Sequence, residues 1–280
     1  MGKESIQMGN LNCRNEFGIL KKLIICPPKY LKINQTNKRY RSETINVNIA
    51  MEQYQDFVRV LISHGVEVFE LFAEEKLNDQ VFTRDIGFCV GEQLFVSAMG
   101  SEKRKGEVGA LMGKLKQENI PFKKLVQSPI EGGDIMIDNN KVWVGLSDRT
   151  SLSATQALQA LIPSYTIIPL PIEKRILHLD CAFNIIDEKL ALVYPAAFST
   201  TDLNLIKEHF DIIEVTDDEQ LTSGTNVLSI GNKKIISMPQ NERVNLEMSN
   251  RGYEIIEVKY SEIIKSNGSF RCSSLPLLRI

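Results

Sequence analysis

The chain has 280 residues, 43% of them hydrophobic and 24% charged, the composition of an ordinary water-soluble globular fold. A net charge of -2 argues against a nucleic-acid partner, and no apolar stretch approaches the roughly 20 residues that cross a bilayer, so no membrane association is expected. The opening MGKESIQMGN lacks the apolar core of a signal peptide and has Ile6 where a myristoylation signal needs Ser or Thr, so a cytoplasmic location is expected.

Residues 1–14 are expected to form a flexible tail, with residues 15–280 making one α/β domain. ILKKLIICPP (Ile19 to Pro28) reads as a first strand. Residues 27–48 are polar and proline-started, and a segment that long suggests a lid. In NIAMEQYQDFVRVLISHG, Met51, Tyr54, Phe57, Val58 and Leu61 recur at three- and four-residue steps and Gly65 supplies a stop, so a helix is expected there. Segments 103–117, 152–161, 202–209 and 241–250 read as further helices. Each of the five precedes a short strand rich in β-branched residues, ending at Leu71, Leu125, Leu170, Val215 and Val258. Between these units lie four hairpins turning on polar pairs: IGFCV-GE-QLFVSA, IMID-NN-KVWVG, FNII-DE-KLALV and NVLSI-GN-KKIISM.

Strand, turn, strand, helix, strand therefore occurs four times, and a fifth copy can be assembled from the two chain ends, ILKKLIICPP with SSLPLLRI. A ring closed by pairing its termini is the expected architecture: a five-bladed, pseudo-symmetric α/β propeller of ββαβ repeats. The rival is an open three-layer α/β sheet, against which the adjacent hairpins argue, because parallel strands need crossovers.

In such a ring, equivalent positions of all units converge on the axis. Those positions carry FTRD with Asp85, IEGGD with Glu131 and Asp134, LHLD with His178 and Asp180, SGTN with Asn226, and FRC with Cys272. Polar groups abut apolar strands at all five places, which is costly without a common partner. The five cysteines are widely spaced with no C-x-x-C pair, so neither a disulfide framework nor a zinc ribbon is expected. Cys26, Cys89 and Cys181 sit in apolar runs and read as small core residues, whereas Cys272 stands between Arg271 and two serines. A cysteine, a histidine and a carboxylate together make a nucleophile, a general acid/base and its orienter. The thiol would need a cationic neighbour to ionise at neutral pH, and His178 or Arg271 could serve. Extra carboxylates would suit a cationic substrate, above all a planar guanidinium. His64 and His209 read as solvated helix residues. A metal site from Glu131, Asp134, His178 and Asp180 is conceivable but leaves Cys272 unexplained.

These residues, in this order, resemble the guanidino-group-modifying enzymes of the pentein superfamily, which include arginine deiminases, dimethylarginine dimethylaminohydrolases and amidinotransferases. The resemblance spans roughly residues 15–280 and implies the five-bladed α/β propeller. It also implies Cys272 as nucleophile, His178 as general acid/base and Glu131 as the carboxylate beside it. Asp85 and Asp180 would hold the guanidinium, Asn226 belongs to the same set, and Arg149 and Arg104 would bind a substrate carboxylate. No metal or organic cofactor is implied, and a homodimer is possible. The implied reaction is hydrolysis of a guanidino C–N bond, dimethylargininase-like, through a thiouronium on Cys272 to a ureido product such as citrulline. Alternatives are a deiminase acting on arginine or agmatine, an amidinotransferase, and a catalytically silent binding module. Asp180 is the deiminase-like departure, since a second carboxylate there favours unsubstituted guanidinium nitrogens.

Overall fold

A computed structural model describes residues 11–33, 39–126 and 128–280. Five open, three-stranded sheets share one pattern: a central strand pairs antiparallel with an inner strand and parallel with an outer one. The first blade joins the chain ends: β15 (Leu275–Arg279) lies antiparallel to β1 (Leu20–Ile25), which runs parallel to β2 (Glu67–Glu70). The other four follow in chain order: β3 (Gly87–Val90), β4 (Gln93–Val96) and β5 (Lys123–Lys124); β6 (Ile135–Asp138), β7 (Lys141–Leu146) and β8 (Thr166–Pro171). Then come β9 (Phe183–Asp187), β10 (Leu190–Val193) and β11 (Asp211–Glu214), and finally β12 (Leu228–Gly231), β13 (Lys234–Ser237) and β14 (Glu254–Glu257). This is the expected five-bladed α/β propeller.

The pattern follows from which strands see water. β3, β6 and β12 are buried along their whole length and are written almost entirely in apolar residues, as strands covered on both faces must be. β2, β11 and β14 begin or end on exposed glutamates and aspartates that protect an open edge. Three hairpin turns depend on left-handed backbone, at Gly91 (φ +54°), at Asn139 (φ +53°) and at Gly231, Asn232 and Lys233 (φ +89°, +52° and +57°).

Helices α1 (Val47–Ser63), α2 (Lys105–Gln117), α3 (Leu152–Leu161), α4 (Thr200–His209), α5 (Asp217–Leu221) and α6 (Glu242–Asn250) connect the strands. In α1 the buried residues Ala50, Tyr54, Phe57 and Leu61 keep the spacing of one helix face, Asn46 caps the start and Gly65 (φ +77°) ends it.

The expected flexible tail is overturned for its last four residues. Asn12 bridges Leu278, Cys13 pairs with Gly91, and Leu11 and Cys13 are buried, because this stretch covers the seam beside β15. Residues 1–10 lie outside the described residues, as do residues 34–38 of the expected lid. The described flanks of that lid are tied down: Ser266 Oγ donates to Lys32 O (2.8 Å), and Asn46 N donates to Glu262 Oε2 (2.7 Å). Among the described residues no helix is long and apolar enough to cross a membrane.

Candidate active site

The tail does hold Cys272 rigidly. Behind it, Phe270 packs against Tyr260 and Phe57 with ring centroids 4.4 and 5.2 Å apart, all three buried. In front, Asn226 brackets the residue: its Oδ1 accepts from Cys272 N (3.0 Å) and Ser269 N (3.3 Å), and its Nδ2 donates to Cys272 Sγ (3.0 Å). Nδ2 also donates to Asp180 O (3.1 Å). Asn226, expected as a substrate ligand, is thus consumed in clamping the sulfur, since both amide ends are taken and the side chain is buried.

His178 sits between two acids. Its Nε2 is 2.8 Å from Glu131 Oε2, and its Nδ1 faces Asp85 Oδ1 at 3.5 Å. The other Glu131 oxygen accepts from Gly100 N (2.9 Å) and Ser101 N (3.3 Å) and lies 3.4 Å from Arg149. The two glycines of EGGD lie in a tight turn, with Asp134 N donating to Glu131 O (3.1 Å), and they also permit close approach. A Cβ on Gly132 would stand 2.1 Å from Arg84 O, and one on Gly133 would stand 2.8 Å from His178 Cγ and 2.6 Å from Asp85 Oδ1. Asp134 anchors the same corner, accepting from Ser147 Oγ (2.7 Å) and Leu179 N (2.9 Å).

Asp180 faces Cys272 Sγ at 3.4 and 3.5 Å, and its Oδ2 accepts from Arg271 (2.9 Å). Arg271 in turn reaches Glu16 (3.1 Å) and Ile135 O (2.9 Å). Glu16 was missed in the sequence, where CRNEFG offers no periodic or motif signal. Only the ring geometry brings the N-terminal segment to the axis.

Arg104 corrects a second expectation. The tight turn Glu102–Arg104 aims it inward, where it bonds Asp85 Oδ2 (2.5 Å), Glu107 Oε2 (2.8 and 3.0 Å) and two backbone carbonyls. It is buried and fully engaged, so it fixes Asp85 rather than meeting a substrate carboxylate. Arg149 is different, with its side chain 22% exposed and, among the described residues, only the long Glu131 contact. Cys181, expected in the core, is half-buried and lies 3.6 Å from Asp180 Oδ1. His209, expected in solvent, packs edge-on against Trp143 with ring centroids 5.1 Å apart.

The charges are set by this packing. Burial disfavours the His178 imidazolium, but the Asp85 charge and the Glu131 hydrogen bond raise its pKa well above the usual value. Burial likewise disfavours ionised Glu131, yet the hydrogen bond from His178 and the charges of His178, Arg104 and Arg149 bring it down to about 2. Burial pushes Asp134 up to about 6. Burial also lifts Asp85 above the carboxylate range, although His178 and Arg104 pull it down. The Cys272 thiol is pushed well above its usual range by its hydrogen bond with Cys181, by burial and by the Asp180 charge. The expectation that His178 or Arg271 would ionise the thiol therefore fails: one cation is turned to Glu131 and Asp85, the other to Asp180 and Glu16.

Among the described residues, two groups bring ligand-type atoms within 4.8 Å of one another, Asp85/Glu131/His178 and Asp180/Cys181/Cys272. In the first, the raised His178 pKa means that a metal would have to displace the imidazole proton held by Asp85 and Glu131. The metal site that Glu131, Asp134, His178 and Asp180 could conceivably make does not assemble as a foursome among the described residues, since Asp134 is spent on Ser147 and Leu179 and Asp180 on Arg271.

Residues 26–279 match the family described as N,N dimethylarginine dimethylhydrolase, eukaryotic. Among curated proteins, the uncharacterized protein YkgA of Bacillus subtilis (strain 168) is 46% identical over 271 residues, covering 95% of each chain. The N(G),N(G)-dimethylarginine dimethylaminohydrolase of Pseudomonas aeruginosa is 25% identical over 230 residues, 81% of this chain and 87% of that one. Among solved structures, the substrate-bound N-terminal domain of ArgZ, an arginine dihydrolase from Cyanobacteria, superposes with a TM-score of 0.84 at 21% identity, over 92% of this chain and 98% of that one. The ordered set FTRD, EGGD, HLD, SGTN and the near-terminal cysteine, the five-bladed ring and the family match agree: the chain belongs to the dimethylarginine dimethylhydrolase family of the pentein superfamily.

Proposed function

We propose that this chain hydrolyses a C–N bond of a guanidino compound, with Cys272 as the nucleophile. The observation that carries the reading is the convergence of three buried carboxylates, Asp85, Glu131 and Asp180, around one histidine and one clamped thiol. Asp85 Oδ1 is buried and has no hydrogen-bond donor among the described residues, which is costly unless a ligand supplies one. A guanidinium does so: it is cationic, planar and offers N–H donors in a fork that matches carboxylates.

The free site holds a neutral thiol and a charged imidazole. A bound guanidinium puts a positive charge beside Cys272, offsets the Asp180 charge and stabilises the thiolate, whose proton is released to solvent as substrate binds. The sulfur attacks the guanidinium carbon, His178 gives its proton to the departing amine, and a thiouronium remains on Cys272. His178, now neutral and held by Glu131, takes a proton from water, which attacks the same carbon. The C–S bond breaks, releasing a ureido product such as citrulline. Arg149, half-buried beside Glu131, would pair with a substrate carboxylate. Asp180 favours a guanidinium with unsubstituted end nitrogens, because a methyl group against a buried carboxylate oxygen replaces a hydrogen bond with a desolvated acceptor.

The test is release of ureido product and amine from arginine, monomethylarginine, asymmetric dimethylarginine and agmatine, with Cys272→Ser alongside. Ammonia from arginine or agmatine supports the unsubstituted preference; dimethylamine from dimethylarginine would mean that Asp180 tolerates methyl groups. Transfer to an added amine in place of water would make it an amidinotransferase. Full turnover by Cys272→Ser would end the mechanism.

A further inference from the structure

Two of the five cysteines meet at the nucleophile. The turn Leu179–Cys181 follows His178 and carries the Cys181 sulfur back to the carboxylate that faces Cys272. Asp180 Oδ1 lies 3.6 Å from Cys181 Sγ and 3.5 Å from Cys272 Sγ, and the two sulfurs are within 4.8 Å of each other. Cys272 is buried while Cys181 is half-buried, so one thiol is the guarded nucleophile and the other stands nearer solvent. The proposed reaction gives Cys181 no task.

We propose that Cys181 is the resolving thiol of Cys272, so that peroxide converts the pair into a disulfide that closes the site reversibly. The Cys272 sulfur attacks one peroxide oxygen, the O–O bond breaks, and the departing hydroxide takes the thiol proton and leaves as water, with a Cys272 sulfenic acid behind. The Cys181 sulfur then attacks the sulfenic sulfur; the S–O bond breaks and the hydroxyl leaves as a second water with the Cys181 proton. Two thiols have lost two electrons to one peroxide, and a dithiol returns them by exchange. Bond formation brings sulfurs from within 4.8 Å to roughly 2.05 Å. A divalent cation on the same donors is disfavoured. Arg271 already neutralises Asp180, and Asn226 Nδ2 points a donor at the Cys272 sulfur.

This inference rests on the reading of Cys272 as a reactive thiol, and the experiment separates the two. The full chain is exposed to hydrogen peroxide with a chelator present, alkylated under denaturing conditions and digested with trypsin. Cleavage at Arg175, Lys189, Arg271 and Arg279 puts Cys181 and Cys272 on different peptides, 176–189 and 272–279. Wild type is expected to give those two peptides linked, and dithiothreitol should restore native alkylation of Cys272. In Cys181→Ser and Cys181→Ala, Cys272 should pass to sulfinic and sulfonic acids, with at least roughly tenfold less recovery. Cys13 and Cys89 form a second, buried neighbouring pair, which the mapping tells apart. Oxidised Cys272 without the linked peptide, or variants that recover as fully as wild type, would overturn the resolving role and leave the nucleophile intact. A Cys272 inert to both peroxide and alkylation would overturn both readings.

Discussion

Replacing Glu131 with Gln tests the electrostatic design of the site without needing a substrate. Glu131 is fully buried, 2.8 Å from His178 Nε2, and its pKa is held at about 2 against an ordinary value of 4.5. At about 1.4 kcal/mol per pH unit, that difference is worth about 3 kcal/mol of folding free energy. The sign is that of a lowered acid: the contribution is complete above about pH 4.5 and is lost as pH falls toward 2. His178 has the opposite character. Its raised pKa adds stability that is present below about pH 6.5 and disappears as pH rises through the folded value. Urea unfolding followed from pH 7 to 2.5 should therefore show Glu131→Gln less stable than wild type near neutrality. The gap should narrow by about 3 kcal/mol as the solution is acidified. Two curves that stay parallel from pH 5 to 2.5 would refute the claim that this pair is charged in the free protein.

The remaining expectations use the same neighbourhood. Arg104→Met strands Asp85 and Glu107 in the interior and should cost about 3–5 kcal/mol in chemical denaturation; a normal unfolding curve with only a raised KM would return Arg104 to substrate binding. Gly133→Ala sets a methyl 2.8 Å from the His178 ring, so overpacking should cost about 1–3 kcal/mol and the displaced imidazole should slow turnover by about tenfold or more. Wild-type rates in that variant would mean the ring is not held by this contact. Cys272, kept neutral by Cys181, burial and Asp180, should react faster with a cationic haloacetamidine than with neutral iodoacetamide at pH 7. Its iodoacetamide rate should keep rising with pH beyond the usual thiol range, and a plateau near pH 8 would contradict the raised pKa.

The repeat was legible in the sequence because its marks are local, and the closure followed from one repeat left split between the two chain ends. A buried inner strand needs an unbroken apolar run, a tight hairpin needs Gly or Asn at left-handed positions, and a helix face needs three- and four-residue spacing. β6, Gly91 and α1 each carry that mark. Cys272, His178, Glu131, Asp85 and Asp180 were legible because polar residues at the start of apolar strands are expensive to bury without a shared purpose. What each polar group touches was decided only by the closed ring. Arg104 and Arg149 look alike in sequence, yet one ends in a buried network with Asp85 and Glu107 and the other half-buried beside Glu131. Asn226 and Cys272 are 46 residues apart, Glu16 and Arg271 further still, and their hydrogen bonds exist only once five sheets meet at one axis. The charge of the thiol is equally a tertiary property. It is set by burial and by Asp180 and Cys181, which face the Cys272 sulfur but lie about 90 residues from it in the chain.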